Sequence, residues 1–206
     1  MVEYRRPKIT GGSYFFTVNC AERRGNRTLT ENIDLLRQSF SKVKRSHPFS
    51  IDAIVVLPEH LHCIFTLPHG DADFKTRWAL IKAGFSRALP ATERRSSSRI
   101  NRGERGIWQR RYWEHLLRDE VDFERHVEYI HWNPVKHGWV EQVKAWPYSS
   151  FHDITSGKVC VPRIGRANRA AMFVVLNNPS GARSMRFVPH RILRATGFFE
   201  PSGLTD

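Results

Sequence analysis

Residues 50–67, SIDAIVVLPEHLHCIFTL, decide how the rest of the chain is read. Two apolar, β-branched runs, 50–57 and 60–67, are split by Pro58-Glu59, the signature of a hairpin. In the second run side chains alternate between faces. Leu61, Cys63, Phe65 and Leu67 make a continuous apolar stripe, while His60, His62, Ile64 and Thr66 share the other side. The stripe predicts packing under helices. The two imidazoles can then hold one divalent cation, or stand as an ordinary surface pair. They are too few for a structural zinc site, which closes with four protein ligands.

Working outward, Gly11-Gly12 precedes SYFFTVNC (13–20), a short aromatic strand. Ile33, Leu36, Phe40 and Val43 recur at helical spacing and predict a helix over 30–46, capped by Thr30, with Lys42, Lys44 and Arg45 at its negative end and Pro48 beyond. A second helix is expected over 73–88, carrying Phe74, Trp78, Ile81 and Phe85. A fourth strand is expected over Ile107 to Leu117. A third helix starts at Asp119, with Asp122 three residues on and acids in its first turn. Pro134 biases Asn133 away from the α region, so this helix is expected to end near Trp132. Strand, helix, strand, strand, helix, strand, helix is an α+β, ferredoxin-like (split βαβ) order: an antiparallel sheet with helices on one face, plus an added helix.

The chain has 206 residues, 40% hydrophobic and 12% aromatic, enough to bury a core. Residues 1–157 are read as one domain and 158–206 as a basic extension of different character, with eight basic residues against Glu200 and Asp206. Three cysteines with no CxxC, and the lack of a signal-like or membrane-length apolar run, predict a reduced cytoplasmic protein that does not enter a membrane. A net charge of +13 favours a polyanionic partner. Between Lys75 and Arg118 twelve basic residues face three acids. The densest part holds Arg94, Arg95, Arg99, Arg102, Arg105, Arg110 and Arg111, read either as a DNA-binding loop or as a solvated one. Trp78, Trp108, Trp113 and Trp132 can stack unpaired bases or pack a core.

The last candidate stretch is YIHWNP, 129–134. Tyr129 cannot share the apolar face of Phe123, Val127 and Ile130, so its hydroxyl points elsewhere. Asn133 follows one turn later on the same side. Its amide oxygen can complete a site with His60 and His62, or cap a new helical turn that begins at Pro134.

Four blocks occur in order: Pro58-Glu59-His60-Leu61-His62, Trp113-Glu114-His115, Tyr129-Ile130-His131-Trp132-Asn133-Pro134-Val135-Lys136-His137-Gly138, and Trp146-Pro147-Tyr148-Ser149-Ser150-Phe151. Over roughly residues 4–155 the chain resembles the single-tyrosine HUH transposases, most of all the branch associated with repetitive extragenic palindromes. The resemblance implies a ferredoxin-like sheet with both histidines on a central strand. It implies cleavage of single-stranded DNA beside a hairpin, leaving a 5′-phosphotyrosine and a free 3′-hydroxyl that can be rejoined. By motif match Tyr129 is the nucleophile, His60 and His62 are metal ligands, and Asn133 is the third ligand, where related transposases usually carry the longer Gln.

Such chemistry suits these residue types. A divalent cation offsets charge on a phosphodiester under attack, and imidazole with amide oxygen suits Mg²⁺ or, better, Mn²⁺. A free phenol has a pKa of about 10, so deprotonation at neutral pH costs about 4 kcal/mol. His126 and His131 are candidate proton acceptors. Three other readings share parts of this pattern: a non-catalytic single-strand-binding module, a basic ribonucleoprotein component, and a metal-dependent nuclease that activates water. Both a monomer and a homodimer are compatible with the family.

Overall fold

The computed structural model describes residues 9–152, apart from Arg94, and the backbone of residues 171–177 and 183–189. Four strands, β1 (Ser13–Asn19), β2 (Ser50–Val56), β3 (His60–Thr66) and β4 (Trp113–Leu116), form one antiparallel sheet in the order β2-β3-β1-β4. Between them run α1 (Thr28–Glu31), α2 (Ile33–Ser46), α3 (Phe74–Ala88) and α4 (Ser97–Ile100), and α5 (Glu120–Lys136) follows β4. This is the expected ferredoxin-like α+β arrangement. Beyond it, β5 (Ala171–Asn177) pairs antiparallel with β6 (Arg183–Pro189) as a separate hairpin. The chain divides into two compact units, Met1–Cys160 and Val161–Asp206.

Alternation on the central strands builds two unlike faces. Tyr14, Phe16 and Val18 of β1 and Leu61, Cys63 and Phe65 of β3 pack with Leu36, Phe40 and Val43 of α2 and Phe74, Trp78, Ile81 and Phe85 of α3. Trp78 lies flat on Phe65, with ring centroids 4.8 Å apart and planes 11° from parallel. The opposite face carries Phe15, His60, His62 and Ile64, all buried, and α5 packs against β2 and β3.

Three local expectations are corrected. Thr30 does not cap the first long helix: it lies inside α1, its hydroxyl donating to the Arg27 carbonyl, and Asn32 separates α1 from α2. The fourth strand is only Trp113–Leu116; upstream, one isolated bridge joins Cys20 to Trp108. Finally α5 does not stop at Trp132. It starts as expected, Asp119 accepting from the Asp122 amide at 2.8 Å, but runs through Pro134 to Lys136. Proline in a helix forfeits one backbone hydrogen bond. Here Ile130, His131, Asn133 and Pro134 are all buried, and that packing outweighs the local cost.

The outer edge of β2 is closed by a late segment. The Val56 amide donates to the Tyr148 carbonyl (2.8 Å), the Ser150 amide to the Ile54 carbonyl (2.9 Å), and the Trp146 indole to the Val56 carbonyl (3.0 Å).

Asp52 sits in the bulge between Ile51 and Ala53, buried, with Oδ2 accepting from the Thr66 hydroxyl at 2.5 Å and Oδ1 without a partner. Burial pushes its carboxyl up to about 6, against the Thr66 hydrogen bond and the charge of Lys44. A carboxyl that holds its proton more tightly when folded subtracts stability as pH rises through the window from about 4 to about 6. Asp52→Asn is therefore expected to match wild type near pH 4 and to exceed it by about 1–2 kcal/mol at pH 8. Urea unfolding at both pH values measures the difference.

Candidate active site

Both histidines enter the site from β3, held from behind. Thr17 stands opposite His62 in the β1–β3 register, and its hydroxyl lies 2.9 Å from His62 Nδ1. Glu59 Oε1 lies 2.9 Å from His60 Nδ1 and 3.5 Å from the Arg23 guanidinium. With Nδ1 of each ring engaged, Nε2 is the atom each offers forward, the arrangement by which outer partners orient metal-binding imidazoles. The rings lie 4.9 Å apart. Burial pushes the His62 imidazole down to about 3, helped by the neighbouring His60, and burial likewise lowers His60 against the pull of Glu59. Both rings are thus neutral at pH 7, the form that coordinates a cation.

The remaining groups come from α5. Tyr129 is 38% exposed, its ring 5.1 Å from His62 and 5.9 Å from Phe15, with the Lys136 ammonium 5.0 Å from the ring centroid. Among the described residues nothing hydrogen-bonds its hydroxyl. One turn on, Asn133 is fully buried, and among the described residues neither its Oδ1 nor its Nδ2 has a partner. One turn further, the His137 ring lies 5.4 Å from His60. Asn133 is therefore flanked along the helix by two side chains that each touch one imidazole of β3. Because α5 continues through it, Asn133 is not an N-cap, and the reading that spent its oxygen on capping is removed. A buried amide unpartnered among the described residues, set between two side chains that each approach one neutral imidazole, has the donor chemistry that suits a hard cation, and its missing contact is what a ligand would supply.

Of the two candidate proton acceptors, His131 faces away. It is buried, its Nε2 is 3.2 Å from the Ser150 hydroxyl, and burial lowers it to about 4. His126 belongs to another group: Asp122 Oδ2 lies 2.9 Å from His115 Nε2, and Asp122 Oδ1 lies 3.2 Å from His126 Nδ1. The nitrogen and oxygen atoms that these three side chains could offer a metal lie within 4.8 Å of one another. His126 Nδ1 is hydrogen-bonded at 2.7 Å to the Asp122 backbone carbonyl, and the two rings stack at 4.9 Å.

The arginines divide. Arg105 is consumed: its guanidinium reaches both Glu93 oxygens and the carbonyls of Ser86, Leu89 and Pro90, tying the loop to the negative end of α3. Arg110 pairs with both Glu104 oxygens at 2.9 Å, and Arg99 donates to the Trp108 carbonyl. Arg95, Arg102 and Arg111 are exposed, and Arg94 lies outside the described residues. Trp78 and Trp108 are core residues, whereas Trp113 and Trp132 are exposed.

Sequence reasoning passed over Thr17, Glu59 and His137. The first two are visible only through strand register and turn geometry. His137 shows a signal in retrospect, eight residues after Tyr129 and so on the same helical side.

A ferredoxin-like sheet that sets a histidine pair against a helix-borne tyrosine is the arrangement that the resemblance to the HUH transposases implies. The chain is 51% identical over 158 residues to the REP-associated tyrosine transposase of Escherichia coli K12, an alignment covering 76% of this chain and 87% of that protein. It is 45% identical over 153 residues to a putative REP-associated tyrosine transposase of Haemophilus influenzae, covering 74% and 86%. A solved structure of a REP-associated tyrosine transposase bound to a REP hairpin superposes with a TM-score of 0.66 at 48% identity, over 81% of this chain and 93% of the other. No protein-family model matches. The chain belongs to the REP-associated tyrosine transposases. No helix among the described residues is long and apolar enough to cross a membrane.

Proposed function

We propose that this chain cuts and rejoins single-stranded DNA beside a hairpin through a covalent 5′-phosphotyrosine on Tyr129. The observation that carries this is the Tyr129 hydroxyl, unengaged among the described residues, on a ring 5.1 Å from His62. The DNA partner is supported by the solved relative, which is bound to a REP hairpin. His60, His62 and Asn133 would hold a divalent cation, Mg²⁺ or Mn²⁺, which when bound supplies positive charge to the scissile phosphate.

Tyr129 Oη attacks phosphorus and loses its proton to solvent or a nearby base. The bond from phosphorus to the 3′ oxygen breaks, and that oxygen departs with a proton as a free hydroxyl. Rejoining reverses the step, a 3′-hydroxyl displacing the phenol. One phosphodiester is exchanged for another each way, so no ATP is needed. Lys136, its ammonium 5.0 Å from the Tyr129 ring centroid, would add positive charge beside the phenol during attack. Thr17 and Glu59 keep both imidazoles aimed, and Phe15 backs the phenol ring.

Residues 1–157 form the catalytic domain in this reading, with 158–206 a basic extension, and the protein acts on DNA in the cytoplasm. Arg95, Arg99, Arg102, Arg110 and Arg111, together with Arg94, contact DNA phosphates, while Arg105 shapes the loop that carries them. Affinity for single-stranded DNA is expected to fall with salt at a log–log slope of roughly −0.7 per phosphate contact, about −4 for these six. Titrations between 50 and 300 mM salt, concentrations of about this order, measure it; a slope near zero removes the arginines from the interface. The reading itself is tested with a labelled hairpin oligonucleotide and Mg²⁺ or Mn²⁺. An SDS-resistant adduct supports it. Cleavage without an adduct indicates a water nucleophile, and binding without cleavage a non-catalytic module.

A further inference from the structure

We propose that the outer face of Trp113 is a stacking subsite for one unpaired nucleobase of the strand entering the active site. The inference rests on the transposase reading for the identity of that strand. Trp113 is 53% exposed on the short edge strand β4, a costly place for the largest apolar side chain unless something covers it. Thr17 of β1 stands opposite Trp113 on one side and opposite His62 on the other. Residues directly opposite in a sheet project to the same face. Trp113 and His62 therefore share a row across three strands, about 10 Å apart at ~4.8 Å per strand. Phe15 spans the interval, with ring centroids 5.6 Å from Trp113, 5.6 Å from His62 and 5.9 Å from Tyr129.

The indole is also held in place from within. The His115 ring lies parallel to it, 5.8 Å away at 4°, and His126 stacks on His115 at 4.9 Å. Asp122 holds both imidazoles, His115 through its carboxylate and His126 through its backbone carbonyl. An aromatic face anchored on one side and open on the other is what a base needs as a platform, and stacking tolerates any base because each has a π-face. Exposed Arg111 and Arg118 bracket β4 and supply positive charge for the adjoining phosphates. Trp132 and Trp139 are exposed too, though less than Trp113, and neither joins this row: Trp139 packs on Trp146, and no ring contact among the described residues ties Trp132 to Phe15 or Tyr129.

The test uses the full chain, a hairpin oligonucleotide with a single-stranded flank, and copies of it with one abasic position moved along the flank. Trp113→Ala is expected to weaken binding about 5- to 100-fold, the range for one lost base stack, and Trp113→Phe to retain most of the affinity. One abasic position should weaken wild type comparably yet cost Trp113→Ala nothing further, a coupling that a merely destabilised fold does not produce. Wild-type affinity in Trp113→Ala overturns the proposal, as does an equal loss in both proteins at every abasic position. If no oligonucleotide gives a Tyr129 adduct while the coupling persists, the transposase reading fails and the stacking subsite stands.

Discussion

Tyr129→Phe is expected to abolish the SDS-resistant DNA adduct and lower strand cleavage by at least about 1,000-fold, while hairpin affinity stays within about twofold. The structure separates the hydroxyl from every other duty of this residue. The ring makes the contacts with His62, Phe15 and Lys136, and phenylalanine keeps that ring. The hydroxyl is engaged by nothing among the described residues, so its loss leaves no orphaned partner, and stability should change by less than about 0.5 kcal/mol. Gel analysis of denatured reaction mixtures, with anisotropy for binding and thermal unfolding as the control, reads all three quantities. Undiminished cleavage by Tyr129→Phe would make water the nucleophile.

Asn133→Leu should separate activity from stability in the opposite sense. The wild-type amide is fully buried with both polar atoms unpartnered, a penalty of about 1–3 kcal/mol that a leucine of similar shape does not carry. The variant is expected to unfold about 1–2 kcal/mol later than wild type without added metal, yet to cleave at least about 100-fold more slowly with it. Mn²⁺ should stabilise wild type and leave the variant's melting temperature unchanged. A leucine variant that melts earlier in metal-free buffer would mean the amide has a structural partner. One that binds Mn²⁺ as wild type does would remove Asn133 from the ligand set.

How much of this was legible in the sequence depended on the range of the interaction concerned. The faces of β3 follow from alternation within seven residues, and the Asp119 cap from a spacing of three, so both were readable. Pro134 departs from expectation because the local rule against helix before proline is real, while the burial that overrides it comes from strands far away in sequence. The arginine loop looked uniform as a string of charges. Which guanidinium is free depends on partners such as Ser86, 19 residues from Arg105, that periodicity does not reveal. Tyr129 was placed on the correct side of its helix by elimination. Its distance from His62 joins residues 67 positions apart in the chain, and motif order hinted at it without fixing it.

The clasp of residues 146–150 on β2 bears on how the protein is made. Until that stretch emerges from the ribosome, the amides of Ile54 and Val56 face outward from a strand with a continuous apolar run, Ala53 to Val56, open to pairing with a neighbouring nascent chain. A truncation before Trp146 would spare the tyrosine and both histidines in the primary structure, yet leave that edge permanently sticky. Chains ending before Trp146 should therefore be recovered as inclusion bodies.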